Sequence, residues 1–368
     1  MSAPPAGIAP LGEALAARTE ALCAVPSPIG SEKALCDLLE DWAGGRGFRV
    51  RRVQNSLVVR VDPDGGAAGR PLVALCGHLD TVPVHEADRG PPRREGGRIV
   101  APGASDMKSG VAVALELAER MAREARFADL ALVLYSREEG PYLENELGPV
   151  LERSPELRAA ALAICLEPTD GRLALGCVGS LHATLTFTGR AAHSARPWQG
   201  ENAVHRAGAL LAELAGRTPR EVTSGGLPFR EVTSVTRIEG GRARNVVPDH
   251  CTLNLNFRFA PDRSVDQAAR EVEELARRFG AEAEITDRSP ACPAFVDHPL
   301  VVRLRDRAAL EVEPKQAWTD VARLAAAGIP AVNFGPGATA QAHQRGEWVE
   351  VAAIERAYRA LERFLAPG

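Results

Sequence analysis

The chain has 368 residues, 45% of them hydrophobic and 25% charged, with a net charge of −4. That length exceeds what one core usually fills and predicts two domains of ordinary globular composition. The weak acidity leaves no basic field for nucleic acid or an anionic membrane, and no stretch approaches the ~20 apolar residues of a membrane span.

The first residues lack a basic region followed by an apolar one, so no secretory signal is expected. Seven cysteines (Cys23, Cys36, Cys76, Cys165, Cys177, Cys251, Cys292) are scattered, odd in number and without a CxxC pair. They predict no disulfide framework and a reducing, cytoplasmic setting.

After a proline-rich start, "LGEALAARTEALCAV" has helical spacing. "SEKALCDLLEDWAGG" is a second helix, with Ser31 as its expected N-cap and Gly44-Gly45 as its stop. "FRVRRVQNSLVVRVD" alternates like a strand pair, and "RPLVALCGHLD" is an apolar run suited to a central strand covered on both faces. "MKSGVAVALELAERMAREA" predicts an amphipathic helix, and "ADLALVLYSREEG" and "AAALAICLEP" two more buried strands. Strands alternating with helices imply an α/β layer with a mostly parallel sheet.

The pattern changes near Gly179. "SLHATLTFTGRA" alternates as a half-exposed strand, followed by the helix "ENAVHRAGALLAELAG" and the strands "FREVTSVTRIEGG" and "VPDHCTLNLNFRFAP". The helix "SVDQAAREVEELARRFG" and the strand "AEAEITDR" complete a β-α-β-β-α-β order, that of a ferredoxin-like insert. "DHPLVVRLRDRAALEV" and "TDVARLAAAGIPAVNFGPG" then return to the α/β style. The reading is one α/β domain interrupted by a smaller α+β domain.

Ligands in open α/β sheets gather outside the carboxyl ends of strands. His78 and Asp80 end one strand, Asp106 precedes a helix, Glu138-Glu139 and Glu167 end two more strands, and His343 lies in a loop after "AVNF". Singly, each has an ordinary explanation as a cap, a turn or a hydrogen-bonded side chain. Together they form a nitrogen-and-oxygen donor set that suits Zn²⁺, Co²⁺ or Mn²⁺, with enough carboxylates for two ions if one bridges. Asp80, two residues beyond His78, is expected on the same face, taking the hydrogen bond of the second imidazole nitrogen, with Pro83 helping to stop the strand. Adjacent Glu138 and Glu139 need different jobs: one as a ligand, the other as the proton acceptor for water, with a turn at Gly140-Pro141 presenting both.

"GHLDTVP", "GASDMKSG", "REEG", "LEPT", "GRAAHSARPWQGENAV" and "NVVPD" with "LNFRFAP" together resemble, in order and over nearly the whole chain, the M20 family of dinuclear-zinc amidohydrolases and peptidases. Within it, "AHSARPWQG", "FRFAPDRSV" and "AWTDVARLAAAGIPAVNFGPG" are most similar to the desuccinylase branch of the actinobacterial kind. The resemblance implies a zinc-aminopeptidase-like catalytic domain at 1–178 and 290–368, and a ferredoxin-like lid and dimerisation domain at 179–289. It implies His78 and Glu167 on one zinc, Glu139 and His343 on the other, and Asp106 bridging. Glu138 would be the general base and Asp80 the partner of His78. His193 would reach a partner subunit's active site, and Asn245, Arg258 and Thr319 would contact substrate. The activity implied is hydrolysis of N-succinyl-L,L-2,6-diaminopimelate, with acetylornithine deacetylase, aminoacylase or dipeptidase activity as alternatives and a non-catalytic binding protein as a remote one.

The chain departs from that pattern at Gly176-Cys177-Val178-Gly179-Ser180, where many desuccinylases carry two arginines. Arg137 stands where an acidic residue is common, and Trp318-Thr319-Asp320 differs from the Thr-Ser-Asp-Gly form. These leave the metal chemistry untouched and bear on acyl specificity.

Overall fold

The computed structural model describes residues 10–61, 69–122, 124 and 126–367. The proline-rich start, Asp62 in the predicted strand pair and positions 123 and 125 of the predicted third helix lie outside them. The described residues pack as two units. One comprises those within Met1–Leu175, Phe295–Glu313 and Arg323–Gly368; the other, Gly176–Ala294 with Pro314–Ala322. The chain thus passes between units at 175/176 and 294/295, against predicted boundaries of 178/179 and 289/290.

In the first unit, the main sheet has eight strands among the described residues. Its order is Arg49–Val53, Ser56–Arg60, Asp129–Tyr135, Leu72–His78, Ala160–Cys165, Ala331–Asn333, Leu173–Leu175, Val312–Pro314. The four strands from Asp129–Tyr135 to Ala331–Asn333 in that order are mutually parallel. The two strands at the Arg49 edge run antiparallel to their neighbours. Every residue of Leu72–His78 and of Asp129–Tyr135 is buried, as their unbroken apolar runs demand of strands covered on both faces. Helices Leu11–Cys23, Ser109–Met121 and Val351–Leu365 pack against one another. The last buries Ile354, Ala357, Tyr358, Leu361, Phe364 and Leu365, one stripe of a 3.6-residue repeat.

The second helix begins at Lys33, not after Ser31. The buried Glu32 occupies the N-cap position without capping the helix; its carboxylate takes the Gly30 N–H at 2.7 Å. A small sheet of Arg93–Glu95, Arg98–Val100 and Trp348–Glu350 carried no sequence signal, because three-residue strands are too short for a period to show.

The second unit holds a five-stranded antiparallel sheet, ordered Arg220–Ser224, Leu227–Gly240, His250–Phe259, Gly179–Thr188, Glu282–Ser289. Without Arg220–Ser224 this is the expected ferredoxin-like arrangement. The extra strand forms a hairpin with Leu227–Gly240 through Gly225 and Gly226, both at positive φ. Helices Ala203–Gly216 and Val265–Arg278 bury Leu210, Val272 and Leu275 in the same apolar cluster as Leu181, Leu185, Phe187, Leu253 and Phe257. Period-2 alternation therefore puts the even-numbered residues of Gly179–Thr188 and His250–Phe259 on the opposite, half-buried face. Segment Pro314–Ala322 joins this unit through specific bonds: Lys315 O accepts from Val178 N at 3.3 Å, and Trp318 Nε1 donates to Pro290 O at 3.0 Å.

Candidate active site

The first unit gathers the predicted donors at the carboxyl ends of its parallel strands. His78 is the last residue of Leu72–His78 and is 1% exposed. Its Nε2 lies 3.2 Å from Asp106 Oδ1, and its Nδ1 lies 3.1 Å from the main-chain oxygen of Asp80. On the next strand, Cys165 pairs with Cys76 and Leu166 N donates to Cys76 O at 2.9 Å. That register brings the buried Glu167 backbone to the same sheet edge.

Asp80 lies past the end of its strand and performs a different task from the expected one. Its carboxylate stands 3.7 Å from His78 Nδ1, which bonds the Asp80 carbonyl instead. The two carboxylate oxygens accept the backbone N–H groups of Glu138, at 3.1 Å, and Glu139, at 2.9 Å. The turn that exposes those groups comes at Arg137, which is in the left-handed region (φ 64°), before the expected Gly140-Pro141. Two adjacent N–H groups can then point at one carboxylate, which a regular strand forbids because its N–H groups alternate in direction.

Asp106 sits in the π-type turn Ala104–Lys108, with non-helical backbone at Asp106 and Met107, ahead of helix Ser109–Met121. The Asp106–Met107 peptide bond is cis. One Asp106 oxygen faces His78; the other is 3.7 Å from His343 Nε2. His343 Nε2 is also 3.0 Å and 2.9 Å from the two oxygens of Glu139. His343, too, has a left-handed backbone, at φ 61°. Donor atoms of His78, Asp106 and Glu139 all lie within 4.8 Å of one another.

Glu347 has no sequence signal: a lone Glu between Gly346 and Trp348 carries no period and no motif. It is buried, and its carboxylate accepts the N–H groups of Gly103, Ser105 and Asp106 at 2.8, 2.7 and 2.8 Å. Burial pushes its carboxyl up to about 7 despite those bonds.

The electrostatics suit a cation. Burial alone would lower the His78 pKa, but the Asp106 hydrogen bond and the charges of Asp80 and Glu138 raise it well above 6.5. The pKa of His343 is raised as well, chiefly by its hydrogen bond to Glu139. Imidazoles pressed toward their charged form by surrounding carboxylates mark a pocket of negative potential. Oxygen and imidazole donors without a thiolate fit a catalytic Zn²⁺, Co²⁺ or Mn²⁺ site rather than a structural zinc knuckle.

The remaining predicted residues belong to the second unit. His193 and Asn245 come together there: His193 pairs with Val246 on a short antiparallel ladder, and Ser194 N donates to Asn245 O at 2.9 Å. His193 Nδ1 accepts the Ala195 N–H at 3.1 Å. Thr319 is buried, with its carbonyl 3.7 Å from Cys177 Sγ. Arg258 is half-buried on the sheet face away from the helices, and its Nε donates to Asn256 Oδ1 at 3.0 Å.

An α/β unit that collects imidazoles and carboxylates at the carboxyl ends of parallel strands is the architecture of a metal-dependent hydrolase. The family model for peptidase family M20/M25/M40 matches residues 74–366, and the chain belongs to that family. It is similar to DapE of Mycobacterium tuberculosis, 41% identical over 94% of this chain and 96% of that protein. The succinyl-diaminopimelate desuccinylase of Corynebacterium glutamicum is 38% identical, with 95% of each chain covered. Among solved structures, the aminopeptidase PepT of Bacillus cereus shares the fold at a TM-score of 0.77 and 20% identity, covering 96% of this chain and 98% of that one. YxeP of Bacillus subtilis, described as a dinuclear metal-binding M20 peptidase, does so at 0.66 and 16%, covering 96% and 97%. The chain is accordingly a metal-dependent amidohydrolase.

Proposed function

We propose that this enzyme hydrolyses N-succinyl-L,L-2,6-diaminopimelate to succinate and L,L-2,6-diaminopimelate, in lysine and diaminopimelate biosynthesis. The observation that carries the hydrolytic reading is Asp106, which offers one oxygen to His78 and the other to the His343–Glu139 pair. Near-full-length identity of 38% to a desuccinylase supports the substrate.

In this reading His78 and Glu167 would hold one zinc ion and His343 and Glu139 the other, with Asp106 shared between them; cobalt or manganese would substitute. When bound, such a pair of ions acidifies the attacking water and neutralises charge developing on the amide carbonyl. Glu138 takes the proton from that water as its oxygen attacks the carbonyl carbon. As the C–N bond breaks, Glu138 returns the proton to the leaving amine, so one carboxylate serves both steps. Asp80 holds the main chain beneath Glu138 and Glu139, so that base and ligand keep fixed positions.

The proposal extends to the second unit as lid and dimerisation domain. His193 of one copy would donate to the oxyanion in the other copy's site, while Asn245, Arg258 and Thr319 contact substrate. Seven free, buried cysteines support a cytoplasmic setting. Among the described residues no helix is long and apolar enough to cross a membrane.

The test is a panel of succinylated, acetylated and dipeptide substrates, run on metal-loaded protein and again after chelation. Preference for the succinylated diamino acid, lost on chelation and restored by zinc, is expected. Equal rates across the panel would sink the substrate assignment; full activity in the chelated protein would sink the metal assignment. Glu138→Gln should keep its metal and lose turnover by about 10²- to 10⁴-fold, the usual contribution of a general base.

A further inference from the structure

The helix-free face of the second unit's sheet carries a chain of hydrogen-bonding side chains that runs from Arg258 to residues the proposed mechanism does not use. Arg258 Nε donates to Asn256 Oδ1 at 3.0 Å. Asn256 Nδ2 lies 2.8 Å from His182 Nε2, and Asn256 and His182 are directly paired across neighbouring strands. On the other side of the ring, His182 Nδ1 is 3.4 Å from the amide nitrogen of Asn254, which is also 2.6 Å from Thr236 Oγ1. Among the described residues Arg258 forms no ion pair with a carboxylate, and Nε is its only hydrogen-bonded nitrogen. One edge of the guanidinium is anchored, and among the described residues its two terminal nitrogens have no protein partner.

The donor and acceptor roles follow from one end. Arginine can only donate, so Asn256 must turn its oxygen to Arg258 and its N–H to His182. His182 Nε2 must then be an acceptor, which makes the ring neutral with its proton on Nδ1. The Nδ1–H is satisfied when the Asn254 amide turns its oxygen inward, where it also accepts the Thr236 hydroxyl; amide orientation is set by the network in just this way. The charged groups facing His182 are Arg258 from one neighbouring strand and Asp287 and Glu284 from the other, with Asp287 directly paired to it. Burial, then the Arg258 charge, lowers the His182 pKa from 6.5, with Asp287 opposing. The neutral ring the network needs is thus the form the surroundings favour.

We propose that His182 is a positioning residue for substrate recognition: through Asn256 it locks the Nε edge of Arg258, so that the two free nitrogens form a fixed fork for one substrate carboxylate. This rests on the reading of Arg258 as a substrate contact. A planar fork held at one edge binds a carboxylate bidentately with little ordering cost, and a loose one does not. A second proton on His182 would put a donor against the Asn256 N–H and break the relay.

The experiment measures kcat and KM from pH 5 to 8 for N-succinyl-diaminopimelate and for analogues with one carboxylate at a time replaced by carboxamide. The wild type, His182→Leu, His182→Gln and Arg258→Gln are compared. His182→Leu should raise KM about tenfold with kcat little changed, as for loss of one charge-assisted hydrogen bond. It should do so only for substrates that retain the carboxylate Arg258 reads. Wild-type KM should rise as pH falls below 6.5, the ordinary value from which His182 is shifted down. His182→Gln, whose amide oxygen can accept from Asn256 but does not titrate, should keep a low KM that is flat with pH. If Arg258→Gln raises KM while His182→Leu does not, the relay is wrong and the Arg258 contact stands. Should Arg258→Gln leave KM unchanged, the contact itself is wrong. If His182→Leu does not fold, a His182→Gln enzyme with the wild-type rise in KM overturns the proposal.

Discussion

Asp80 hydrogen-bonds the backbone of Glu139 and faces the imidazole of His78 only at 3.7 Å: its Oδ2 accepts the Glu139 N–H at 2.9 Å, while Oδ1 takes the Glu138 N–H at 3.1 Å. A fully buried carboxylate that spends both oxygens on two successive N–H groups fixes the loop carrying the proposed base and a proposed ligand. Asp80→Asn supplies one acceptor and one donor in the same space, so one of the two N–H groups would face an N–H₂. We expect kcat to fall roughly 10- to 100-fold, the usual effect of an orienting partner. Metal content should hold, as measured by elemental analysis beside steady-state kinetics. Unchanged kcat would mean the loop is held by something else.

Glu347 does the same for Asp106 from the other end of the chain. Its carboxylate gathers the N–H groups of Gly103, Ser105 and Asp106. In Glu347→Gln the amide N–H₂ must oppose at least one of these donors. Metal affinity is expected to drop about 10- to 100-fold. Competition against a chromophoric chelator measures it independently of turnover. An affinity equal to wild type would show that the turn at Ala104–Lys108 keeps its shape unaided.

Gly110 and Gly208 both lie inside helices, and the same change should have opposite signs. A Cβ at Gly110 would stand 2.4 Å from the Leu166 carbonyl oxygen and 2.8 Å from Leu166 Cβ, pressing on the residue before Glu167. Gly110→Ala is expected to cost about 1–3 kcal/mol through overpacking and to weaken metal binding as Glu167 shifts. At Gly208 nothing lies within 4 Å, so Gly208→Ala should gain about 0.5–1 kcal/mol of helix stability. Calorimetry of the two variants decides it; equal thermal midpoints would contradict the close approach of helix and strand.

Much of the fold was legible because its signals are local. The fully buried strands Leu72–His78 and Asp129–Tyr135 announce themselves as apolar runs, and the alternation of His250–Phe259 tells its two faces apart. The hairpin strand Arg220–Ser224 leaves no sequence signal because it is polar and largely exposed, with little hydrophobic period to read. Ser31 read as a cap by residue type alone, yet the helix starts two residues later. The metal-site candidates were legible because imidazoles and carboxylates at strand ends are few and share one edge of the sheet.

The sequence by itself determined the strand and helix periods and the insertion of one domain into another, and it marked His78, Asp106, Glu138, Glu139, Glu167 and His343 as candidate chemistry-bearing groups. These follow from spacing within a few residues and from side-chain type. Only the tertiary structure decided what each carboxylate holds. Asp80 reaches 58 and 59 residues along the chain to the Glu pair, and Glu347 reaches back 241 residues to Asp106. The donors at those distances are backbone N–H groups, which every residue but proline carries, so no side-chain pattern marks them. Their direction is set by turns such as left-handed Arg137, which form only when packing around them compensates the cost.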